Sequence, residues 1–409
     1  MNKILIGLAV GGFLTLCDIY PAIASHLLSL KFMKTGTQRT VPVKATPGGA
    51  VNNNKDVQII KSTEDALTLS RFNKNGQIHI LGVQKDDGES VTGVDISDVL
   101  NRYGRNSFDV IQNLQFDDVV KIITNGKDKI TLKYSDLLPA VDGGQHIAIG
   151  INYAEHGRET GQIAPFMFPK IVDTDPAIHQ LNYTPGWLLD HEVELGAVFP
   201  SSVCSSTELE HIMIGFLVVN DFTDRATLIR EMDSRNVLSG KGFPDAKSKK
   251  GFLPTGPYIV IPRNWPSFVK ELQLTLLVNG EVRQNGNAKD MVWNISKIIE
   301  QSLNSKGEKR WLFENKKVPL FNSTCIPANS IIITGTPSGV VLKAPKKGFI
   351  FAAVTKYLVT ARFFGTKMHP YIMQQYLRKE MKNKNYLKPG DVVESSINFL
   401  GKIKTTVKN

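Results

Sequence analysis

LLDHEVELGAVF, residues 188–199, reads as a buried strand with carboxylates inside it. Apolar residues stand on both sides of Glu192 and Glu194, so the segment belongs to a core, yet it sets two acids one residue apart. On a strand, side chains alternate between faces; Glu192 and Glu194 therefore point one way, and Val193 and Leu195 the other. Two like charges so placed repel, and burying them unpaired is costly, so a positive partner is expected between them. A hard divalent cation meets that need, and oxygen-only ligation suits Mg2+ or Mn2+, with Ca2+ a further choice. The segment is not the zinc motif HExxH, because Leu195 stands where the second histidine belongs. Taken alone, the pair is better read as an exposed strand face carrying two solvated glutamates.

Three features farther along the chain shift that balance. The apolar stretch IGFLVVNDFTDR carries Asp221, a third carboxylate placed where a strand leaves the core. GKGFPDAKSKKGFLPTGP offers Lys247 near a turn, and ITGTPSGV follows an apolar strand with small residues whose amides, with Thr336, can hold a carboxylate. The GK dipeptide is no phosphate loop, since Arg235 occupies the first glycine position of GxxxxGK[ST].

The chain has 409 residues, 42% of them hydrophobic, with ordinary glycine and proline content, which excludes a collagen-like or largely disordered protein. Cys17, Cys204 and Cys325 form no metal-ligand spacing and are too few for a disulfide framework. Lys3 precedes the apolar run ILIGLAVGGFLTLC, and Ala22 and Ala24 give the small-x-small pattern of a secretory cleavage site. Residues 1–24 are therefore expected to be a signal peptide or an N-terminal anchor, and the protein to be periplasmic, secreted or membrane-anchored, with a cytoplasmic location as the alternative. The polar stretch to residue 61 reads as a linker.

From Ser62 to residue 140, short apolar alternations split by NKNG and DDGE predict hairpins, and DVIQNLQFDDVVKII predicts a helix, together a small N-terminal α+β domain. Residues 141–409 are dominated by strands bounded by Gly or Pro. The regular strand–helix alternation of a doubly wound sheet is missing, so a β-rich α+β fold, mixed and barrel-like, is expected. Residues 342–388 differ in character: eleven Lys or Arg face one acid, Glu380, close to the whole +11 of the chain. Interleaved aromatic residues allow either a basic helical insertion packed on its own domain or an element touching anionic lipid heads. No nucleic-acid-binding module accompanies them, and nucleic acid is not an expected partner.

The ordered set GINYAEH, DHEVELG, NDFTDR, AKSKKGFLPTGP, ITGTPSGV and LKPGDVVESSINFLG resembles the fumarylacetoacetate hydrolase (FAH) family, especially its acylpyruvase-like members. The resemblance implies a mixed β-roll catalytic domain behind a smaller N-terminal domain. It implies Glu192, Glu194 and Asp221 as ligands of Mg2+ or Mn2+, His156 and Glu159 as the pair that activates water, and Lys247 as a catalytic lysine. Lys170, Thr336 and Arg225 then contact a small 2-oxo acid substrate, and a homodimer is implied. The expected reaction is hydrolysis of a carbon–carbon bond in a 2,4-dioxo acid, an acylpyruvate or a fumarylacetoacetate-like compound. Oxaloacetate decarboxylation, 2-oxo acid isomerisation, or a catalytically silent ligand- or membrane-binding role is the alternative. The chain departs from the family pattern after its third ligand. Asp224 and Ala226 displace the usual acid of SARD, Leu228 replaces a common glutamine, and the basic insertion separates TGTPSGV from LKPGD.

Overall fold

The computed structural model describes residues 60–162 and 164–409. The expected export segment and the expected linker up to residue 59 lie outside the described residues. The chain opens with a meander of β1 (Ala66–Lys74), β2 (Gln77–Asp86) and β3 (Ser90–Asp95). Asn75 and Gly76 connect the first two strands with φ of 55° and 84°, the doubly positive pair that matches hairpin twist. Three short helices follow, α1 (Ile96–Leu100), α2 (Ser107–Ile111) and α3 (Phe116–Asn125), then β4 (Lys129–Lys133). The single helix expected over DVIQNLQFDDVVKII is thus two. Asn113 takes a left-handed φ of 63° and Gln115 is extended, which breaks the ladder between two apolar faces that pack into the same core.

The larger part begins with β5 (His146–Gly150), α4 (Ala154–Thr160), β6 (Phe166–Lys170), β7 (Ile178–Asn182), β8 (Leu189–Asp190) and β9 (Val193–Val198). It continues through β10 (Gly215–Asn220), β11 (Thr223–Asp224), α5 (Arg225–Glu231), α6 (Phe243–Lys247), β12 (Ile259–Pro262) and α7 (Trp265–Glu271). Residues 141–409 read as strand-rich, and the stretch LQLTLLVNGEV, expected as one strand, is a hairpin: β13 (Gln273–Val278) turns at Asn279–Gly280, φ 52° and 82°, into β14 (Glu281–Asn287). Then come α8 (Ile295–Asn304), the small hairpin β15 (Trp311–Phe313) and β16 (Lys316–Val318), and β17 (Ile332–Ile333). The chain closes with α9 (Lys347–Val359), α10 (Met368–Glu380), β18 (Val392–Ile397) and β19 (Lys402–Lys408).

Ten strands form one mixed sheet in the order β4-β3-β2-β1-β12-β10-β9-β17-β5-β6. The edge strands β4 and β6 do not pair with each other, so the roll stays open, and the fold is α+β and β-rich as expected. The central strands β9 and β10 are buried along their whole length, as strands covered on both faces must be. A second sheet, β14-β13-β18-β19-β7, alternates buried and more exposed positions along β13, β18 and β19. Asn220 at the end of β10 reaches across to it, donating from Nδ2 to Ser395 Oγ on β18 at 2.9 Å. The site described below lies at that seam.

Cys204 and Cys325 are joined by a disulfide with a Cα–Cα distance of 4.5 Å, beside an antiparallel bridge between Val203 and Ile326. Nothing in the cysteine spacing pointed to it, because the partners lie 121 residues apart and meet only through tertiary pairing. The basic insertion forms a helical hairpin of α9 and α10. Tyr376 and Tyr386 pack with Leu188 and with Ala226 and Ile229 of α5, which joins the insertion to the helix that begins at Arg225.

Candidate active site

Two antiparallel strands bring the carboxylates together. β9 pairs with β10 in the register Glu194 to Val219 and Val193 to Asn220, and the Asp221 amide donates to the Glu192 carbonyl at 2.8 Å. Glu192 itself sits just before β9, in the break after β8, so the strand expected to be continuous over 188–199 is interrupted at His191 and Glu192. The interruption is held by side chains: Asn220 Oδ1 accepts from the Glu192 amide at 3.0 Å, and Gln284 Oε1 accepts from the Val193 amide at 3.0 Å. Glu192, Glu194 and Asp221 are all buried, and one oxygen from each lies within 4.8 Å of the others.

Three cations surround this acidic group. Lys247 Nζ bridges Glu192 Oε2 at 2.5 Å and Asp221 Oδ2 at 2.7 Å. Lys170, fully buried, donates to Asp221 Oδ1 and, at 2.6 Å, to the Lys247 carbonyl. Arg225 donates from Nε to Asp190 Oδ2 at 2.8 Å and from its terminal nitrogen to Glu192 Oε1. Asp190 also receives the amides of His191, Val341 and Leu342, so it ties the strand to the start of the insertion.

Burial alone would raise the pKa of Glu192, but Lys247 and Arg225 outweigh it and hold this carboxyl well below the usual carboxylate range. The same carboxylates overcome burial at Lys247 and Arg225 and strengthen their hold on their protons. Glu194 fares differently. Burial, then the charges of Asp221 and Glu192, push it well above the ordinary value, and the Gly335 amide that donates to it does not compensate. Formally, four buried acids (Asp190, Glu192, Glu194, Asp221) face three cations (Lys170, Lys247, Arg225). Glu194 is the acid left without an ion pair among the described residues, and its surroundings favour the uncharged form.

That deficit is a test of fit for a divalent cation, and the donor set passes it. Three oxygen ligands converge with an excess of negative charge, which suits a hard ion. Nearby polar atoms also await partners: His156 Nδ1, Tyr153 Oη and both ring nitrogens of His191 are buried without a hydrogen bond among the described residues. The Tyr153 hydroxyl is pushed up by burial and by the charge of Glu194.

His156 and Glu159 share α4, one turn apart, so their side chains face each other. Their closest approach, Nδ1 to Oε2, is 3.6 Å. Glu159 also accepts from the Gly339 amide at 3.0 Å and from Lys343 Nζ at 3.1 Å. Burial opposes its charge, but His156, Gly339 and Lys343 together hold its pKa down to about 2.

Thr336 is less free than its place in the sequence suggests. Its hydroxyl donates to the Val193 carbonyl at 2.9 Å and accepts from Gln284 Nε2 at 2.8 Å, so its proton is committed to holding β9. Gln284, Asp190 and Asn220 are the residues the sequence reading missed. Asn220 directly precedes Asp221 and could have been suspected; Gln284 lies in β14 with no local signal at all. Asp224, the displaced acid, caps α5 by accepting from the Ala226 amide at 3.0 Å and receives the Thr227 hydroxyl at 2.6 Å.

This architecture has relatives. The profile described as fumarylacetoacetate (FAA) hydrolase C-terminal matches residues 145–408. A 2,4-didehydro-3-deoxy-L-rhamnonate hydrolase of Sphingomonas sp. is 29% identical over 213 residues, half of this chain and 64% of that protein, so the match covers just under two thirds of its length. An uncharacterized protein of Pyrococcus abyssi is 30% identical over 222 residues, 52% of this chain and 86% of its own. Among solved structures, a fumarylacetoacetate hydrolase from Exiguobacterium antarcticum superposes with a TM-score of 0.53 at 21% identity, covering 84% of this chain and 99% of that one. A 5-carboxymethyl-2-hydroxymuconate delta-isomerase from Mycobacterium smegmatis gives 0.50 at 18% identity, with 83% and 99% covered. These two likenesses are of fold. With the profile spanning well over half of its length, the chain belongs to the fumarylacetoacetate hydrolase family.

Proposed function

We propose that the protein is a divalent-metal-dependent hydrolase that splits a carbon–carbon bond in a small 2,4-dioxo acid. The observation that carries this reading is the convergence of Glu192, Glu194 and Asp221 within 4.8 Å, in a cluster with one more buried acid than buried cations. These three residues would hold Mg2+ or Mn2+, with Ca2+ a third oxygen-seeking choice. A divalent ion turns the formal deficit into an excess of one positive charge, which favours an anionic 2-oxo acid. When bound, such an ion polarises a carbonyl and offsets negative charge as it develops.

The residues of the chain do the rest. Lys170 and Lys247 pair with Asp221 and Glu192 and add positive potential for the substrate carboxylate. Glu159, held ionised by the Gly339 amide and Lys343, stabilises the Nδ1–H form of His156, leaving Nε2 to accept a proton. His156 takes that proton from water, and the hydroxide adds to the distal carbonyl carbon of the dioxo acid. The carbon–carbon bond breaks, its electron pair leaves with the pyruvate fragment, and the proton returns from His156 to that fragment. The other product is a carboxylic acid. The 3.6 Å separation of His156 and Glu159 is the long form expected before substrate tightens the pair. Hydrolysis is also the reaction named for the Sphingomonas relative.

An oxidising compartment is part of the proposal: the Cys204–Cys325 disulfide persists outside the reducing cytosol, in agreement with an N-terminal export segment. The test is turnover of acylpyruvates, oxaloacetate and an isomerase substrate by metal-stripped protein titrated with Mg2+ or Mn2+. Metal-dependent cleavage of acylpyruvates, abolished by Glu192→Ala, supports the reading. Turnover of oxaloacetate or the isomerase substrate in place of acylpyruvates replaces it with decarboxylation or isomerisation. Absence of any metal-dependent turnover overturns the enzyme reading.

A further inference from the structure

We propose that the helical hairpin of the basic insertion docks through its tip on a lipid bilayer bearing anionic headgroups. This inference is independent of the proposed reaction. Of the twelve large apolar side chains exposed among the described residues, five fall between residues 351 and 364: Phe351, Leu358, Val359, Phe363 and Phe364. Phe364 is 85% exposed and Val359 80%. Isolated exposed apolar residues are ordinary, but such a cluster within one short stretch is not.

The helix α9 is apolar on two sides. Ile350, Ala353, Val354 and Tyr357 are buried, and Ile350, Ala353 and Val354 pack with Ile372 of α10. Phe351, Leu358 and Val359 fall at i, i+7 and i+8, a single stripe on the other side. The stripe runs into the turn after α9, where Phe363 and Phe364 lie with ring centroids 4.5 Å apart. From Leu358 to Lys367 every residue is exposed.

Cations border the patch. Lys346 and Lys347 stand at the start of α9, Lys356 at its edge, and Arg362 and Lys367 in the turn, all exposed and none with an acidic partner among the described residues. The one acid of the insertion, Glu380, is buried and paired to Lys379, so it offers no counter-charge at the surface. An apolar tip ringed by unpaired cations matches the boundary between acyl chains and anionic headgroups, with the rings inserted and the ammonium groups at the phosphates. No helix among the described residues is long and apolar enough to cross a membrane, so the contact is a surface one.

The experiment is co-sedimentation of the full chain with vesicles of phosphatidylcholine alone and of phosphatidylcholine mixed with phosphatidylglycerol. The wild type should pellet with the mixed vesicles, weakly with the neutral ones, and be released by salt. In Lys356→Glu/Arg362→Glu the ratio of bound to free protein should fall about fivefold or more for each cation lost. Phe363→Ser/Phe364→Ser should lower it to a similar degree, and the two variants check each other if one melts early. Equal pelleting of wild type and both variants, or no preference for the anionic vesicles, overturns the proposal. So does a larger sedimenting species in lipid-free solution that Phe363→Ser/Phe364→Ser converts to a smaller one, since the tip then contacts a second copy of the chain.

Discussion

The carboxylate site and the basic insertion use charge in opposite ways. At the site, Asp190, Glu192, Asp221, Lys170, Lys247 and Arg225 are all buried and each is bonded to an opposite charge. On the insertion, Lys346, Lys347, Lys356, Arg362 and Lys367 are exposed and unpaired. Buried ions must be compensated almost one for one because desolvation is costly, whereas exposed ions sit in water at little cost and remain available to a partner. The total of +11 therefore describes the insertion and says nothing about the site, which carries a formal deficit of one. The regions touch through backbone, ion-pair and side-chain packing contacts. Asp190 accepts the amides of Val341 and Leu342, and Glu159 pairs with Lys343.

The comparison can be broken at Lys247. Lys247→Met removes the cation between Glu192 and Asp221 and should cost about 3–5 kcal/mol in urea unfolding, because it strands buried charge. Mn2+ should restore more stability to this variant than to the wild type; a variant as stable as the wild type without metal would show that the carboxylates are not compensated by Lys247.

Glu194→Gln should act in the opposite direction. It removes a carboxyl whose ionised form burial and the neighbouring acids disfavour, while keeping an acceptor for the Gly335 amide, so metal-free protein should gain about 1 kcal/mol. The Mn2+-dependent rise in Tm should vanish. A loss of stability would mean that Glu194 is compensated by a group not identified here.

The contact between the two regions can be read through pH. The folded pKa of Glu159 is depressed to about 2 from an ordinary value of 4.5, so its contribution is fully present above about pH 4.5 and is lost as pH falls through about 2. Glu159→Gln should flatten the acid limb of the stability curve in that window, and Lys343→Ala should flatten it partly. Unchanged limbs in both variants would remove the electrostatic link between insertion and site.

The smallest effect belongs to the tip. Phe364→Ser should change unfolding free energy by no more than about 0.5 kcal/mol, since an exposed ring contributes little to the core. A larger loss would show that the ring is held against the protein.

Much of the fold was legible because hydrophobic alternation and turn residues are local. NKNG predicted the β1–β2 turn, and the long apolar runs predicted β9 and β10. VNG in LQLTLLVNGEV carried the same hairpin signal and was passed over, although Asn279–Gly280 makes the same turn. The false single helix over 109–123 arose because apolar spacing registers a face and not the break at Asn113 that divides it. At the site, Glu192, Glu194 and Asp221 were found from strand alternation and motif order, and the structure brings their oxygens together. His156 and Glu159 are near neighbours on α4 as their spacing requires. Gln284 and the pairing of Cys204 with Cys325 had no local signal, since each acts on a segment 91 or 121 residues away.

By itself, the sequence determined that two acids stand one residue apart in an apolar segment, that a third follows the next strand, and that the positive excess gathers between 342 and 388. These are properties of neighbours along the chain, set by the period of two and by composition. The tertiary structure decided which charges meet. It places Lys247 between Glu192 and Asp221, leaves Glu194 without an ion pair among the described residues, commits the Thr336 hydroxyl to Val193, and leaves Phe363 and Phe364 exposed on the insertion. Compensation of charge and exposure of apolar surface depend on distances between segments far apart in the chain, and only packing sets those distances.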